Sequence, residues 1–152
     1  MNAVFLCDQG HEVHGIDISL AALGRARSLS AKRKLAHKLY LVRGDLGRGI
    51  PYPAAHFDAA LDIFAMTFVP EPERRMLIGE VSRVLSSGAC YLLEFKEHVR
   101  RQGRARLLKT SSEFEERGLR IISRGFFIED WRRVDGGRHL AVRILCRKSA
   151  SP

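Results

Sequence analysis

HEVHGIDIS, residues 11–19, is a short, mostly apolar run that ends in an acid and passes straight into a helical pattern. Val13 and Ile16 mark a strand over 12–17, and Ser19 is placed to cap the helix that follows. That helix reads SLAALGRARSLSAKRKL, with Leu20, Leu23 and Ala26 three residues apart on one face. Working outward, residues 39–44 (LYLVRG) form the compact apolar run of a buried strand. DLGRGIPYPAAH follows, a loop whose glycines and prolines oppose regular structure. Residues 57–64 (FDAALDIF) read as a third strand. Pro70 and Pro72 open a helix carrying Leu77, Val81, Val84 and Leu85 at helical spacing, and Gly88 stands where a left-handed cap belongs. Residues 89–95 (ACYLLEF) are strand-like again.

Beyond them, Ser111 or Ser112 can cap a short helix, SEFEER, that Gly118 ends. LRIISRGFF and HLAVRILCRK are two β-rich runs. The turn signal Asp135-Gly136-Gly137 lies between them and predicts an antiparallel hairpin. Strand–helix–strand–helix–strand followed by a hairpin predicts an α/β fold, its sheet mostly parallel with helices on both faces. Ligands of such sheets lie at the carboxyl ends of the strands, and Asp17, Asp45 and Asp62 each fall at or near such an end.

The chain has 152 residues, the size of one domain, with 45% hydrophobic and 28% charged residues, as in ordinary globular chains. No run approaches the ~20 apolar residues of a membrane span, and MNAVFLCDQGHE has no basic segment ahead of its apolar patch, so it is not a secretory signal. Cys7, Cys90 and Cys146 are odd in number and widely spaced. They read as small buried hydrophobes of a reduced, cytoplasmic protein, with no metal-ligand spacing. The formal charge of +9 is spread out. Its densest stretches are AKRK at 31–34 and RRQGRARLLK at 100–109, read as solvated helix faces.

An acid fixed at a strand end can accept hydrogen bonds from both hydroxyls of a ribose without ordering a loop, and Asp17 suits that role. Asp45 can accept from an adenine amino group, with the Leu46 N–H serving a ring nitrogen. Asp62 can meet an ammonium or line the substrate side. The alternative for each is a loop acid capping the next helix.

GIDIS at 15–19, GDL at 44–46, IPYPAAHFDAALD at 50–62 and EVSRVLSSGA at 80–89 occur in an order and spacing that resemble class I S-adenosylmethionine-dependent methyltransferases. The most telling part is Phe57-Asp58 opening a strand, with Arg83-Val84-Leu85 and Gly88-Ala89 closing the next helix. The resemblance spans about residues 3 to 147. It implies a Rossmann-like sheet, S-adenosyl-L-methionine as cofactor and a single methyltransferase-like domain over 1–152. It also implies that Asp17 binds the ribose, with Ile18 near the adenine, and that Asp45 and Leu46 meet the adenine edge. Asp62, Ile63 and Phe64 would run beneath the methionine part. Met66 and Phe68 are read as core residues, with lining of the acceptor pocket as the alternative, and Glu80 and Arg83 as structural contacts.

The family's first strand and its D-x-G-x-G-x-G loop have no counterpart here. That loop lets backbone approach the cofactor, because glycine lacks a Cβ. MNAVFLCDQG resembles the later part of the helix that follows it. The chain is therefore expected to be N-terminally incomplete, with its first strand missing; a truncation, a degenerate relative without activity and a half-domain completed in trans are the explanations the sequence leaves open. A gap of roughly 10 Å would then open between the strands carrying Asp17 and Asp62. Weak or absent cofactor binding, and an inactive enzyme, are the expected results for this chain alone. No general base is evident, and His14, His56 and His98 are read as surface residues. DIFA stands where an Asn-Pro-Pro-Tyr-type signature would be, so a small-molecule acceptor is expected. The rival readings are a non-catalytic module that uses the basic surface, for nucleic acid or an acidic partner, and a nucleotide-binding oxidoreductase. The sequence is silent on the oligomeric state.

Overall fold

The structure is a computed structural model and describes residues 2–96, 112–130 and 138–150. The basic stretch 100–109, His98, Ser111 and the Asp135-Gly136-Gly137 turn lie outside the described residues. The chain divides into two compact units, Met1–Gly49 and Ile50–Pro152.

The first unit holds α1 (Asn2–Asp8), β1 (Val13–Asp17), α2 (Leu20–Lys32) and β2 (Leu39–Arg43). β1 and β2 pair in parallel, from Val13 against Leu39 to Asp17 against Arg43. Ser19 is the N-cap of α2, its hydroxyl accepting from Ala22 N–H at 3.2 Å. Losing such a cap costs about 1 kcal/mol. The buried positions of α2 are Leu23 and Ser30, whose hydroxyl is satisfied by Arg27 C=O at 2.9 Å. Leu20 was expected on the same buried face and is instead exposed. It is the first residue of the helix, where the packed face has not yet begun.

In the second unit, β3 (Phe57–Ile63), α3 (Glu71–Val84), β4 (Leu85–Lys96), β5 (Leu119–Asp130) and β6 (Arg138–Lys148) follow in chain order. A helical turn covers residues 112–116. The sheet order is β3-β4-β6-β5. β3 and β4 are parallel, while β6 is antiparallel to both β4 and β5. The predicted hairpin is thus the β5–β6 pair. The α3 stripe packs as the spacing predicts: Leu77, Val81 and Val84 are buried, together with Ile78. Tyr91, Leu93, Phe114, Leu119, Ile144 and Cys146 complete this core, each large side chain worth roughly 1.5–3 kcal/mol when fully buried.

Two boundaries differ from the sequence reading. α3 ends at Val84, and Leu85, expected on the helix, opens β4 while remaining buried. Gly88 has the expected left-handed backbone, φ 80°, but inside β4. There the register slips from Phe57–Leu85 to Ala59–Cys90, and the extra residues of β4 bulge around the glycine.

The strands form two sheets rather than one continuous sheet. Among the described residues, β1 and β3 each have a ladder partner on one side only.

Candidate functional site

The seven residues singled out by the sequence fall into two groups, one in each unit. In the first unit, the β1–β2 ladder brings Asp17 and Asp45 to the carboxyl ends of neighbouring parallel strands. The Gly44 N–H donates to Asp17 C=O at 3.2 Å, which closes the ladder just before Asp45. Asp17 Oδ1 accepts the Ser19 N–H at 2.8 Å, so the start of α2 fixes the carboxylate. Its Oδ2 has no partner among the described residues. Ile18, next in the chain, is 63% exposed, a large apolar surface beside a fixed acid. Leu20 is exposed nearby in sequence, and the helical pattern gave no sign of it.

Asp45 caps a 3-10 turn, Leu46–Arg48, by accepting the Gly47 N–H at 3.0 Å, and Arg48 approaches its other oxygen at 3.7 Å. The loop expected to lack regular structure therefore contains one turn, and its acid is a cap. The Leu46 N–H has no acceptor among the described residues. The capping and ligand roles are compatible. A cap occupies one carboxylate oxygen and aims the other.

Asp62, Ile63 and Phe64 form the second group, at the carboxyl end of β3. Asp62 is 8% exposed and turned inward. Its Oδ1 accepts the N–H groups of Ala65 and Met66 at 2.8 and 3.2 Å, and Tyr91 Oη lies 3.5 Å from Oδ2. Burial pushes this carboxyl up to about 6, against the amides of Met66 and Ala65 and the Tyr91 hydroxyl, which pull it down. Burial also pushes the Tyr91 hydroxyl well above its ordinary value, with the Asp62 charge adding to it. Ile63 is half-buried. Phe64 has φ 68°, the left-handed region that a bulky residue rarely adopts, and its N–H donates to Glu94 C=O at 2.7 Å. Met66 fits the core reading at 2% exposure, but Phe68 does not: it is 75% exposed, on a 3-10 turn of Met66–Phe68. The chain must turn sharply there, and with Met66 inward the next-but-one side chain points out.

Glu80 and Arg83 make the structural contacts expected of them. Arg83 donates to Glu80, to Tyr52 C=O at 2.8 Å and to Ile50 C=O at 2.9 Å, and Glu80 accepts the Ile50 N–H at 3.0 Å. The Arg83 hydrogen bond, followed by that of Ile50, draws Glu80 down to about 2. His56 stacks on Tyr52 and meets Phe57 edge-on; His14 stacks on Tyr40 and contacts Glu12. Cys7 and Cys146 are buried, and burial pushes Cys146 up to about 12. No cluster of metal-ligating side chains occurs among the described residues, and no helix there is long and apolar enough to cross a membrane.

A family profile described as "Methyltransferase domain" matches residues 1–88, more than half of the chain. The chain belongs to this family, and its fold is that of a class I, Rossmann-like methyltransferase. Solved structures agree. A SAM-dependent methyltransferase from Methanosarcina mazei is 21% identical, with a TM-score of 0.76 over 97% of this chain and 87% of its own. The YcgJ protein of Bacillus subtilis is 16% identical, with a TM-score of 0.71 over 93% and 84%. The [4+2]-cyclase SpnF is 16% identical, with a TM-score of 0.77 over 98% and 71%. A search of curated protein sequences returns no match.

Proposed function

We propose that this protein binds S-adenosyl-L-methionine and transfers its methyl group to a small-molecule acceptor. The observation that carries the reading is the Asp17–Asp45 pair at the ends of two parallel strands, beside an exposed Ile18 and an unsatisfied Leu46 N–H. These residues suit an adenosine: Asp17 Oδ2 for the ribose hydroxyls, Ile18 for an adenine face, Asp45 and Leu46 for its edge. When bound, the cofactor supplies a methyl group already activated by a positive sulfur. The chain's own task is then to hold and orient. Asp17 is fixed before binding by the Ser19 N–H, and Asp45 by the Gly47 N–H, so neither must be ordered on binding.

Asp62 supports the reading differently from Asp17. Its oxygens serve the chain's own amides, so its part is to shape the turn after β3 rather than to meet a ligand. A fold shared with a cyclase does not fix a reaction, so methyl transfer rests on the site residues and the family together. We place the protein in the cytoplasm on the odd, widely spaced cysteines of its sequence.

Isothermal titration with S-adenosylmethionine tests the proposal. Binding that Asp17→Ala abolishes, with the circular-dichroism spectrum unchanged, is the expected result. No heat of binding by the natural chain, or equal affinity in the variant, overturns it.

A further inference from the structure

α3 buries one face in the core, and along its outer face runs a groove of about 420 Å³. The residues that line it on α3, from Pro72 to Arg83, recur at helical spacing and form one stripe about 16 Å long. The second wall is Arg117, just past the helical turn 112–116. That wall is fixed. Phe114 is fully buried, and the Ser82 hydroxyl of α3 donates to Arg117 C=O while accepting from Lys148 at the end of β6. Met76, in the middle of the stripe, is 40% exposed, and Gly79 lies one turn further on. A glycine inside a helix weakens it, yet here the missing side chain makes room for Arg117: a Cβ at position 79 would come 2.7 Å from Nη1. The glycine thus seats a guanidinium against the floor of the groove. Of the other charges, Glu80 is engaged by Arg83, and Arg75 bridges to Glu116 at 3.1 Å. Arg117 has no anionic partner among the described residues.

We propose that this groove docks an acidic linear segment of a partner protein, laid extended along α3, with an aliphatic side chain on Met76 and Gly79 and carboxylates on Arg117 and Arg75. About five extended residues match the length of the stripe. The lining selects the occupant. A guanidinium held flat presents its fork to a carboxylate, and the carboxylate then gains two parallel hydrogen bonds. Met76 and Pro72 supply an apolar seat that adapts to the side chain it receives. Among the described residues no aromatic side chain lines the groove for a base to stack on, which favours a peptide over single-stranded nucleic acid. The formal charge of +9 opposes a second copy of the chain in this place and draws an acidic partner to it. The groove lies wholly within the second unit and uses neither Asp17 nor Asp45, so it stands apart from the methyl-transfer reading.

Amide NMR titration of the whole chain with the capped peptide Glu-Asp-Leu-Asp-Glu tests the assignment. The amides of residues 75–83 and 116–118 should shift, and should not shift with Lys-Lys-Leu-Lys-Lys. Raising the salt from about 50 mM to about 500 mM should weaken binding several-fold. Arg117→Ala should weaken it about fivefold. Gly79→Ala should weaken it as much, because the new Cβ displaces the guanidinium, while raising the thermal midpoint of the chain. A glycine with a structural role alone would not move affinity and stability in opposite directions. Arg120→Ala, at an exposed position of β5 outside the groove, should leave the affinity unchanged. No shift over residues 75–83, an affinity that Arg117→Ala leaves intact, or an oligouridylate that binds the same amides more tightly than the acidic peptide overturns the proposal.

Discussion

Asp17 closes β1 and Asp45 stands two residues beyond the end of β2, and the two should not be equivalent in binding. Asp17 offers a free Oδ2, whereas Arg48 already competes for the second oxygen of Asp45. Leu46 N–H would survive the loss of Asp45 and keep part of the adenine contact. Asp45→Ala should therefore weaken S-adenosylmethionine binding by about tenfold, less than Asp17→Ala. A larger loss than for Asp17, read by the same titration, would reverse the two roles. Asp62 makes its own prediction. Its carboxyl is raised in the folded chain from 3.8 to about 6, so its contribution to stability is full below about 3.8 and is lost as pH rises through about 6. The loss amounts to about 3 kcal/mol at most. Urea midpoints of the natural chain should fall relative to those of Asp62→Asn between about pH 4 and about pH 8; parallel curves would contradict the assignment. The positions of all three acids were legible as strand ends. The inward turn of Asp62 was not, because it shows only once the Ala65 and Met66 amides close on the carboxylate and Tyr91, twenty-nine residues away, comes to lie beside it. The left-handed Phe64 left no trace at all, since no glycine or asparagine marks it.

Among elements, α3 shows how far spacing reaches and where it stops. Its buried stripe could be read residue by residue, but its end could not. Leu85 continues the apolar period while the backbone has already become strand, and periodicity alone does not register that change. The same helix secures the loop ahead of β3. Arg83 and Glu80 close on Ile50 and Tyr52, so side chains from α3 pin this proline-bearing segment together with its own bond from Tyr52 N–H to Ile50 C=O and the bonds of Ala55 and His56 N–H to the Arg83 and Val84 carbonyls. Arg83→Ala should free residues 50–56 and raise their rate of limited proteolysis by roughly tenfold. Arg83→Lys should rescue little, because a single ammonium cannot span the carboxylate and both carbonyls as the guanidinium fork does. Full protection in the lysine variant would show that charge alone suffices.

The whole molecule divides its stability unevenly. In the first unit the buried apolar side chains are Val4, Cys7 and Leu23; the second has its core along α3, β4 and β6. Local stability follows buried apolar contact, so native-state hydrogen exchange should show β1 and β2 amides less protected than those of β4 and β6, by at least about tenfold. Equal protection would mean that the chain opens only as one body. The fold class was readable in advance because alternation of strand and helix is a local signal repeated many times. The ladder pattern that joins β6 to β4 is not local, and sequence order gives no hint that the sixth strand sits inside the sheet.

That position has a consequence during synthesis. β5 is made before β6, and among the described residues its ladder partner is β6, which also borders β4. As the chain leaves the ribosome, β5 must wait beside a half-built sheet with no partner, and Lys148 must arrive to reach the Ser82 hydroxyl, sixty-six residues behind it. The second unit is thus completed by insertion rather than by growth at an edge, and translation must pass residue 148 before its core can close.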